Sequence, residues 1–276
     1  MPLSPPPPSF LHTATGTRLA YYDEHPPHPE PVPPFLLLHG LAGHMGEWND
    51  LTTRLLTAGH RVIRYDAAGH GASTRNPPDM SRAAATADAV ALLTTLRTGP
   101  VVLLGQSLGG LTALLTAAAH PDLVEALILI EAGPAIAAPD LPEQIAAWLD
   151  SWPVPFPSYQ DAVAFLGHTA WADGLNWHPD GTGHPRVDRD MMTAAVREPA
   201  TRDRWAEWER LRCPTLVVRG AQGTMPHSEP PEMRSRRPDH THITVIPNAG
   251  HDVHLDRPGE LYGAISAFLN SRRSSG

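Results

Sequence analysis

Several features that mark particular classes of protein are scarce or absent in this chain of 276 residues. Cys213 is the only cysteine, which excludes an internal disulfide and any metal site built from cysteines. Lysine is absent and the 21 arginines form no run, so the basic stripe of a nucleic-acid-binding protein is missing. No stretch approaches the roughly 20 apolar residues of a membrane span. The N-terminus also lacks the basic and apolar regions of a secretory signal. We therefore expect a cytoplasmic protein with no membrane span and no nucleic-acid partner.

What the chain does contain is typical of an α/β protein. Hydrophobic residues make up 41% and charged residues 18%, with a net charge of −8, so a substantial core is expected. Short apolar runs that predict buried strands alternate with stretches that predict helices. The runs lie at 35–38, 61–65, 100–104, 126–130, 215–218 and 243–246, and the helices at 48–58, 81–96, 108–119 and 258–270. This alternation predicts a mostly parallel sheet flanked by helices on both faces.

The alternation is interrupted once, between residues 134 and 211, where Trp, Pro, Ala and His are abundant and no strand-like run is found. We predict that this segment is an inserted helical cap over the sheet. The core then consists of residues 10–133 and 212–276, and residues 1–9 form a Pro-rich N-terminal lead-in.

A serine lies at the centre of the strongest motif, Gly-x-Ser-x-Gly at residues 105–109. The pattern alone occurs by chance, but here it follows the predicted strand 100–104 and opens the predicted helix 108–119. A serine on such a turn is held in a strained backbone with its hydroxyl exposed, and small flanking residues let strand and helix approach closely. The helix N-terminus beneath it favours developing negative charge. We therefore predict that Ser107 is a catalytic nucleophile.

With four further segments, this motif resembles the α/β-hydrolase superfamily from residue 10 to residue 269. The segments are residues 39–41 followed by Trp48, 66–73, 213–220, and 248–258. The resemblance implies the α/β-hydrolase fold, no cofactor and no metal ion. It also implies an oxyanion hole formed by the backbone N–H groups of Leu41 and Leu108. Losing one such donor typically costs on the order of 10²–10³ in rate.

The base is expected after the last strand, where the superfamily places a histidine and this chain has His251. The sequence has 16 histidines, so the position in the motif is what singles this one out. His254 follows three residues later, and a metal-binding pair with His251 is the alternative, although no third ligand stands at a recognisable spacing. His240 and His242 alternate near a predicted edge strand and are interpreted as surface residues.

The acid of the expected triad departs from the superfamily's usual pattern. Most members carry it after the strand that corresponds to residues 215–218, and here that position holds Gly223. A second location, known in haloalkane dehalogenases and zearalenone lactonases, is the end of the strand after the elbow helix. Glu131 stands there, 24 residues after Ser107. The dehalogenases differ in having an aspartate nucleophile. A carboxylate at the end of a buried strand needs a partner, so we predict a Ser107–His251–Glu131 triad, with Glu229 or Asp252 as alternative acids.

Tryptophan is concentrated in the predicted cap and at its borders, which hold six of the seven in the chain. Many of these rings are expected to fill the cap's own core. The segment is nevertheless where the roof of a substrate pocket would lie, so an apolar, aromatic or macrocyclic substrate is expected. Candidate substrate-binding residues are His44, Met45, Trp148, Trp152, Trp177 and Met225.

A serine nucleophile also restricts the reaction, because serine forms an acyl-enzyme, whereas epoxide hydrolysis and dehalogenation in this fold need a carboxylate nucleophile. We predict a carboxylic-ester hydrolase, with lactones favoured by the placement of Glu131. A thioesterase, a hydrolase of carbon–carbon bonds and an acyltransferase are alternatives on the same scaffold. A ligand receptor and a cofactor-free lyase or isomerase are alternatives of another class. The sequence specifies neither the physiological substrate nor the oligomeric state.

Overall fold

An eight-stranded sheet forms the centre of the computed structural model, which describes residues 7–14 and 16–273. The strands, in chain order, are β1 (Ser9–His12), β2 (Arg18–Glu24), β3 (Phe35–Leu38), β4 (Val62–Tyr65), β5 (Val101–Gln106), β6 (Val124–Ile130), β7 (Asn176–Trp177), β8 (Gly183–His184), β9 (Thr215–Gly220) and β10 (Thr241–Ile246). Their order across the sheet is β1-β2-β4-β3-β5-β6-β9-β10, and β7 and β8 form a separate hairpin. All pairs from β4 to β10 are parallel, which confirms the predicted sheet.

Helices cover both faces of the sheet. They are α1 (Asn49–Thr57), α2 (Arg82–Thr95), α3 (Ser107–Ala119), α4 (Leu141–Asp150), α5 (Tyr159–Leu166), α6 (Thr169–Asp173), α7 (Arg189–Arg197), α8 (Trp205–Arg210), α9 (Glu229–Arg236), α10 (Val253–Asp256) and α11 (Pro258–Arg273). Short 3₁₀ helices span Met45–Trp48 and Pro121–Leu123. Within the described ranges, no helix is both long and apolar enough to cross a membrane.

The apolar strands are buried on both sides, as their unbroken hydrophobic runs predicted. Successive side chains of a strand point to opposite faces. Leu36 and Leu103 therefore pack with side chains of α2 and α3, whereas Leu37 and Leu104 pack with side chains of α1 and α11. Burying each such leucine contributes roughly 1.5–3 kcal/mol to folding. This double-sided core fixes the strand ends from which the candidate site residues project.

The segment between β6 and β9 holds helices α4 to α8 and its own small apolar cluster around Trp152 and Phe156. It also contains the hairpin β7–β8, whereas the sequence predicted no strand in this stretch. A tight turn closes the hairpin, with the Gly181 N–H donating to the carbonyl of His178. Strands of two residues are too short to show an alternating pattern. Of the predicted lead-in, residues 1–6 lie outside the described residues, and Ser9 already belongs to β1.

Candidate active site

Ser107 lies at the point where β5 ends and α3 begins. Its φ of +51° is in the left-handed region, which typically costs a residue other than glycine about 1–3 kcal/mol and is common at functional sites. The neighbouring glycines permit the turn, because a Cβ at Gly105 would overlap the backbone of Gly109. A Cβ at Gly109 would in turn overlap the carbonyl groups of Leu38 and His39. The geometry therefore has the strained strand-to-helix turn that the motif predicted.

The two predicted oxyanion donors flank this turn. Leu108 is the second residue of α3, so its N–H has no acceptor inside the helix. Leu41 follows Gly40, where an added Cβ would stand 3.4 Å from the Cβ of Ser107. Across residues 7–14 and 16–273, nothing accepts a hydrogen bond from the Leu41 N–H. Two backbone donors without acceptors thus lie beside the serine, an arrangement that can stabilise an oxyanion.

His251 lies in the loop after β10, and its side chain is 36% exposed. Two hydrogen bonds fix this loop. The Gln106 side-chain amide donates to the carbonyl of His251 at 3.2 Å, and the Gly250 N–H donates to the carboxylate of Asp256 at 2.7 Å. Since Gln106 immediately precedes Ser107, the histidine loop is attached directly to the serine turn.

Glu131 directly follows β6, and its carboxylate lies 3.5 Å from Nδ1 of His251. Its φ of +49° matches the left-handed backbone of Ser107 on the adjacent strand. The side chain is fully buried, but three backbone N–H groups donate to it: Gly220 at 2.8 Å, Thr224 at 2.7 Å and Met225 at 3.0 Å. A buried carboxylate with this many donors is held firmly in its ionised form.

The electrostatics of Glu131 follow from these contacts. Burial by itself raises the pKa of this carboxyl group. The interaction with His251 at 3.5 Å and the hydrogen bonds from the Met225 and Gly220 backbone outweigh burial, so the pKa lies below its ordinary value. The space beside the carboxylate exists because residue 223 is glycine, since a Cβ there would overlap the Glu131 oxygens. The position that usually supplies the acid in this superfamily therefore leaves room for an acid from the neighbouring strand.

Thr224 is a site residue that the sequence reasoning missed. Its hydroxyl lies 2.8 Å from Nδ1 of His251, nearer than the Glu131 carboxylate, and 3.4 Å from the Glu131 Oε2 atom. A hydroxyl can accept from the imidazole N–H and donate to the carboxylate at the same time. The only available signal was its place immediately after Gly223, which did not single it out.

The two alternative acids are engaged elsewhere. Asp252 accepts from the Gln106 amide at 3.3 Å and from the Trp171 indole N–H at 3.0 Å. Glu229 accepts from the backbone N–H of Ala135 at 2.9 Å, and burial raises the pKa of this carboxyl group. Neither carboxylate has a hydrogen bond or ion pair with His251 within the part of the chain that the structure describes.

His254, the alternative partner of His251 in a metal pair, instead contacts Glu47. Its Nε2 lies 3.3 Å from the Glu47 carboxylate, and both side chains are almost completely buried, at 1% and 2% exposure. Burial raises the pKa of Glu47, but the hydrogen bond and charge of His254 outweigh it and hold the pKa below its ordinary value. Glu47 also accepts from the backbone N–H of His44. The pair thus connects helix α10, just after His251, to the loop that follows Leu41.

Helix α6 of the inserted segment contacts both loops of the site. The Trp171 indole donates to Asp252, which follows His251. Nε2 of His44 donates to the carbonyl of Ala170 at 2.8 Å. The inserted segment is therefore hydrogen-bonded to the histidine loop on one side and to the loop after Leu41 on the other.

Two cavities flank the predicted oxyanion donors. One, of about 520 Å³, is lined by Gly40, Met80 and Leu108 among others. The other, of about 300 Å³, lies between the inserted segment and residues 42–44. Both volumes include space that is open to solvent.

The predicted substrate-binding residues are divided between these cavities and the core. His44 and Trp152 line the smaller cavity, as does Trp171, which was not predicted to. Trp148 and Trp177 pack in the aromatic cluster of the inserted segment, and Met225 is buried in the main core. Met45 is also buried, and its N–H donates to Asp66 at 2.8 Å. The smaller cavity thus contains two of the six predicted residues.

Comparisons with known proteins agree with this fold. The sequence model of a family described as "Alpha/beta hydrolase family" matches residues 35–264. The sn-1-specific diacylglycerol lipase ABHD11 of Xenopus tropicalis is 36% identical over 256 residues, which cover 87% of this chain and 79% of the lipase. The structure of E-2-(acetamidomethylene)succinate hydrolase superposes with a TM-score of 0.83 at 23% identity, over 95% of this chain and 99% of that one. The enol-lactonase from Burkholderia xenovorans gives 0.75 at 21% identity, over 95% and 100%.

Proposed function

Because this chain belongs to the α/β-hydrolase family, we propose that it is a serine hydrolase that cleaves a carboxylic ester or lactone through a Ser107–His251–Glu131 triad. The observation that carries the proposal is the juxtaposition at three strand ends. Ser107 follows β5, Glu131 follows the adjacent β6, and His251 follows β10 with its Nδ1 3.5 Å from the Glu131 carboxylate. The lipase name of a relative at 36% identity supports ester chemistry.

In the proposed mechanism, Oγ of Ser107 attacks the carbonyl carbon of the substrate while Nε2 of His251 takes the hydroxyl proton. The carbonyl oxygen becomes an oxyanion, which accepts from the N–H groups of Leu41 and Leu108. The carbon–oxygen bond to the leaving alcohol then breaks, and His251 returns the proton to that alcohol. Water repeats the sequence on the acyl-enzyme and releases the acid and free Ser107.

Glu131 has an orienting and electrostatic role in this scheme. Its carboxylate requires the proton of neutral His251 to sit on Nδ1, which leaves Nε2 free to act as a base. It also stabilises the imidazolium that forms during attack, without itself taking the proton. The hydroxyl of Thr224, 2.8 Å from the same nitrogen, assists in holding the ring. Residues 134–211 act as the cap that encloses the substrate beside these groups.

The test compares wild type, Ser107→Ala and a matched control, Ser235→Ala, which alters an exposed serine of α9. Each is assayed at neutral pH on aryl esters, thioesters and macrocyclic lactones, and is labelled with a fluorophosphonate. We expect wild type and control to hydrolyse an ester or lactone and to be labelled, and Ser107→Ala to lose about 10⁶-fold in kcat. Full activity in Ser107→Ala would replace this mechanism by chemistry based on His251 alone. Labelling of wild type without turnover on any substrate would identify a receptor instead.

A further inference from the structure

The smaller cavity is lined by residues that are linked to the proposed catalytic residues in two ways. One wall consists of Ala42, Gly43 and His44, which begin one residue after the proposed oxyanion donor Leu41. The other wall carries Trp171, whose indole is bonded to Asp252 beside His251. The lining of this cavity therefore begins one residue after Leu41 in the sequence and is hydrogen-bonded to the residue that follows His251.

Arg186 is the only arginine, lysine or carboxylate residue among the described residues that line this cavity. It is half-buried, and it has no hydrogen bond or ion pair with any residue in the ranges 7–14 and 16–273. The fully buried arginines of the chain all donate hydrogen bonds internally: Arg64, Arg82, Arg204, Arg219 and Arg237. Arg186 keeps part of its surface in water and differs from them in donating to no internal acceptor, so its guanidinium is available to a ligand.

The backbone on both sides of Arg186 is fixed. The guanidinium of Arg75 donates to the carbonyl of Pro185, at 2.8 Å, and to that of Val187. These bonds hold the segment around residue 186 against the loop after β4. They also place a second cation near Arg186: burial and, more weakly, the positive charge of Arg186 lower the pKa of Arg75, while the carboxylate of Asp188 raises it. Two guanidinium groups, those of Arg75 and Arg186, thus lie near this end of the cavity.

Trp152 supplies a second, independent observation. It lines the same cavity and is only 7% exposed, and its indole N–H has no acceptor in the described part of the chain. Buried N–H groups are nearly always hydrogen-bonded. The lining of the cavity therefore includes two kinds of donor that lack acceptors in the described part of the chain, a guanidinium and an indole N–H.

We propose that this cavity is a carboxylate-binding subsite, so that the substrate is an ester or lactone carrying a second, free carboxylate group. The inference rests on the proposed hydrolase function and specifies its substrate class. A guanidinium matches the two oxygens of a carboxylate in a planar, two-bond geometry. An ion pair at a half-buried guanidinium is screened by salt less than one on an open surface. Arg186 and Trp152 are then specificity-determining residues, and neither takes part in the bond-breaking step.

The experiment uses matched pairs of substrates that differ only in charge. Each pair consists of the monoethyl ester of a linear dicarboxylic acid, from succinate to adipate, and the same ester with the free acid converted to a primary amide. For wild type we expect one chain length at which kcat/KM for the acid exceeds that for the amide by about 10- to 100-fold, the range for a hydrogen bond to a charged group.

Three variants test whether Arg186 and Trp152 cause the preference for the acid over the amide. Arg186→Gln is expected to bring the acid-to-amide ratio close to one, because kcat/KM for the acid falls much further than kcat/KM for the amide. Arg186→Lys, which keeps the charge but not the paired donors, is expected to give an intermediate ratio. Trp152→Phe keeps an aromatic ring without the N–H and is expected to lower the ratio by a few-fold. Arg197→Gln, an exposed arginine of α7 away from the cavity, is the matched control and should retain the wild-type ratio.

The outcomes separate this inference from the proposed function. If wild type hydrolyses the amide esters but shows no preference for the acid at any length, or if Arg186→Gln keeps the preference, the subsite is refuted and the hydrolase proposal stands. If wild type hydrolyses neither member of any pair nor the aryl esters, the hydrolase proposal fails. Calorimetric binding of adipate against adipamide to Ser107→Ala then decides the subsite alone. Preferential binding of adipate that is lost in Ser107→Ala/Arg186→Gln supports it, and equal binding overturns it.

Discussion

The ends of β6 and β9 are neighbours in the sheet, yet they contribute to the site in opposite ways. β6 ends in Glu131, a carboxylate on a left-handed backbone. β9 and the loop that follows it contribute backbone N–H groups to that carboxylate, at Gly220, Thr224 and Met225, and no acid. One strand end thus supplies the proposed acid, and the adjacent one supplies the donors that satisfy it. What is needed is one carboxylate near His251 and a loop that satisfies it.

The largest effect is expected from removing the charge at the end of β6. Glu131→Gln keeps the shape of the side chain but presents a neutral amide to His251. The amide cannot stabilise the positive charge of the imidazolium. We expect kcat to fall by about 10³- to 10⁴-fold, by analogy with the loss when a triad aspartate becomes an amide. Steady-state kinetics on the best ester decide the point. Turnover within a few-fold of wild type would show that another group supports His251, and Asp252→Asn, measured in parallel, controls for the nearest other carboxylate.

A double variant can move the carboxylate from the end of β6 to the loop after β9. Gly223 has no left-handed φ, so its backbone accepts a side chain, and the three atoms nearest to an added Cβ all belong to the Glu131 carboxylate. We expect Gly223→Asp alone to be destabilised by about 1–3 kcal/mol through overpacking, measured by urea unfolding. In Glu131→Ala/Gly223→Asp the space is free, and kcat should recover about 10- to 100-fold over Glu131→Ala alone. A double variant no more active than Glu131→Ala would show that the two strand ends are not interchangeable.

A smaller effect on kcat is expected from changing Thr224, whose hydroxyl contacts both His251 and Glu131. Thr224→Val removes the hydroxyl that lies 2.8 Å from Nδ1 of His251 and keeps the branched shape of the side chain. Losing one neutral hydrogen bond corresponds to about a 3- to 10-fold lower kcat, with KM unchanged. Thr224→Ser restores the hydroxyl and should restore the rate. A rate loss that is equal in both variants would assign the effect to packing and exclude a role for the hydroxyl.

The smallest effect concerns stability in acid. The pKa of Glu131 in the folded protein lies below its ordinary value of 4.5, so the ionised carboxylate stabilises the fold above that value, and this contribution is lost as pH falls through the lowered folded pKa. Wild type should therefore lose stability more steeply than Glu131→Gln between about pH 5 and pH 3. Urea unfolding of both proteins across this range measures the difference. Parallel curves would indicate that the N–H groups of the β9 loop do not favour the ionised form.

Much of the fold and part of the site follow from local sequence patterns. The double-sided burial of β3 and β5 is visible as unbroken apolar runs, and the turn at Ser107 is visible as glycines at fixed spacing, because both constraints act within a few residues. The hairpin of Asn176–Trp177 with Gly183–His184 was not predictable, since two residues carry no periodicity.

Glu131 was predicted as the acid because residue 223, where the acid usually stands, is a glycine and because Glu131 follows a buried strand. The contact of Thr224 with His251 could not be predicted, because it depends on how two loops 27 residues apart in sequence fold against each other. Which tryptophans line the cavity could not be predicted for the same reason, because it depends on how distant segments pack. All four of Trp148, Trp152, Trp171 and Trp177 belong to the aromatic cluster of the inserted segment, and only the packing of α4 to α8 determines that Trp152 and Trp171 also line a cavity.

Helix α6 has a consequence for how access and chemistry are related. It accepts a hydrogen bond from His44, beside the oxyanion loop, and donates one to Asp252, beside the base. A displacement of α6 away from the sheet would break both bonds together, so the loops that carry Leu41 and His251 would lose these two restraints at the same time. Any widening of the entrance beside α6 would therefore also loosen the proposed oxyanion donor and the proposed base.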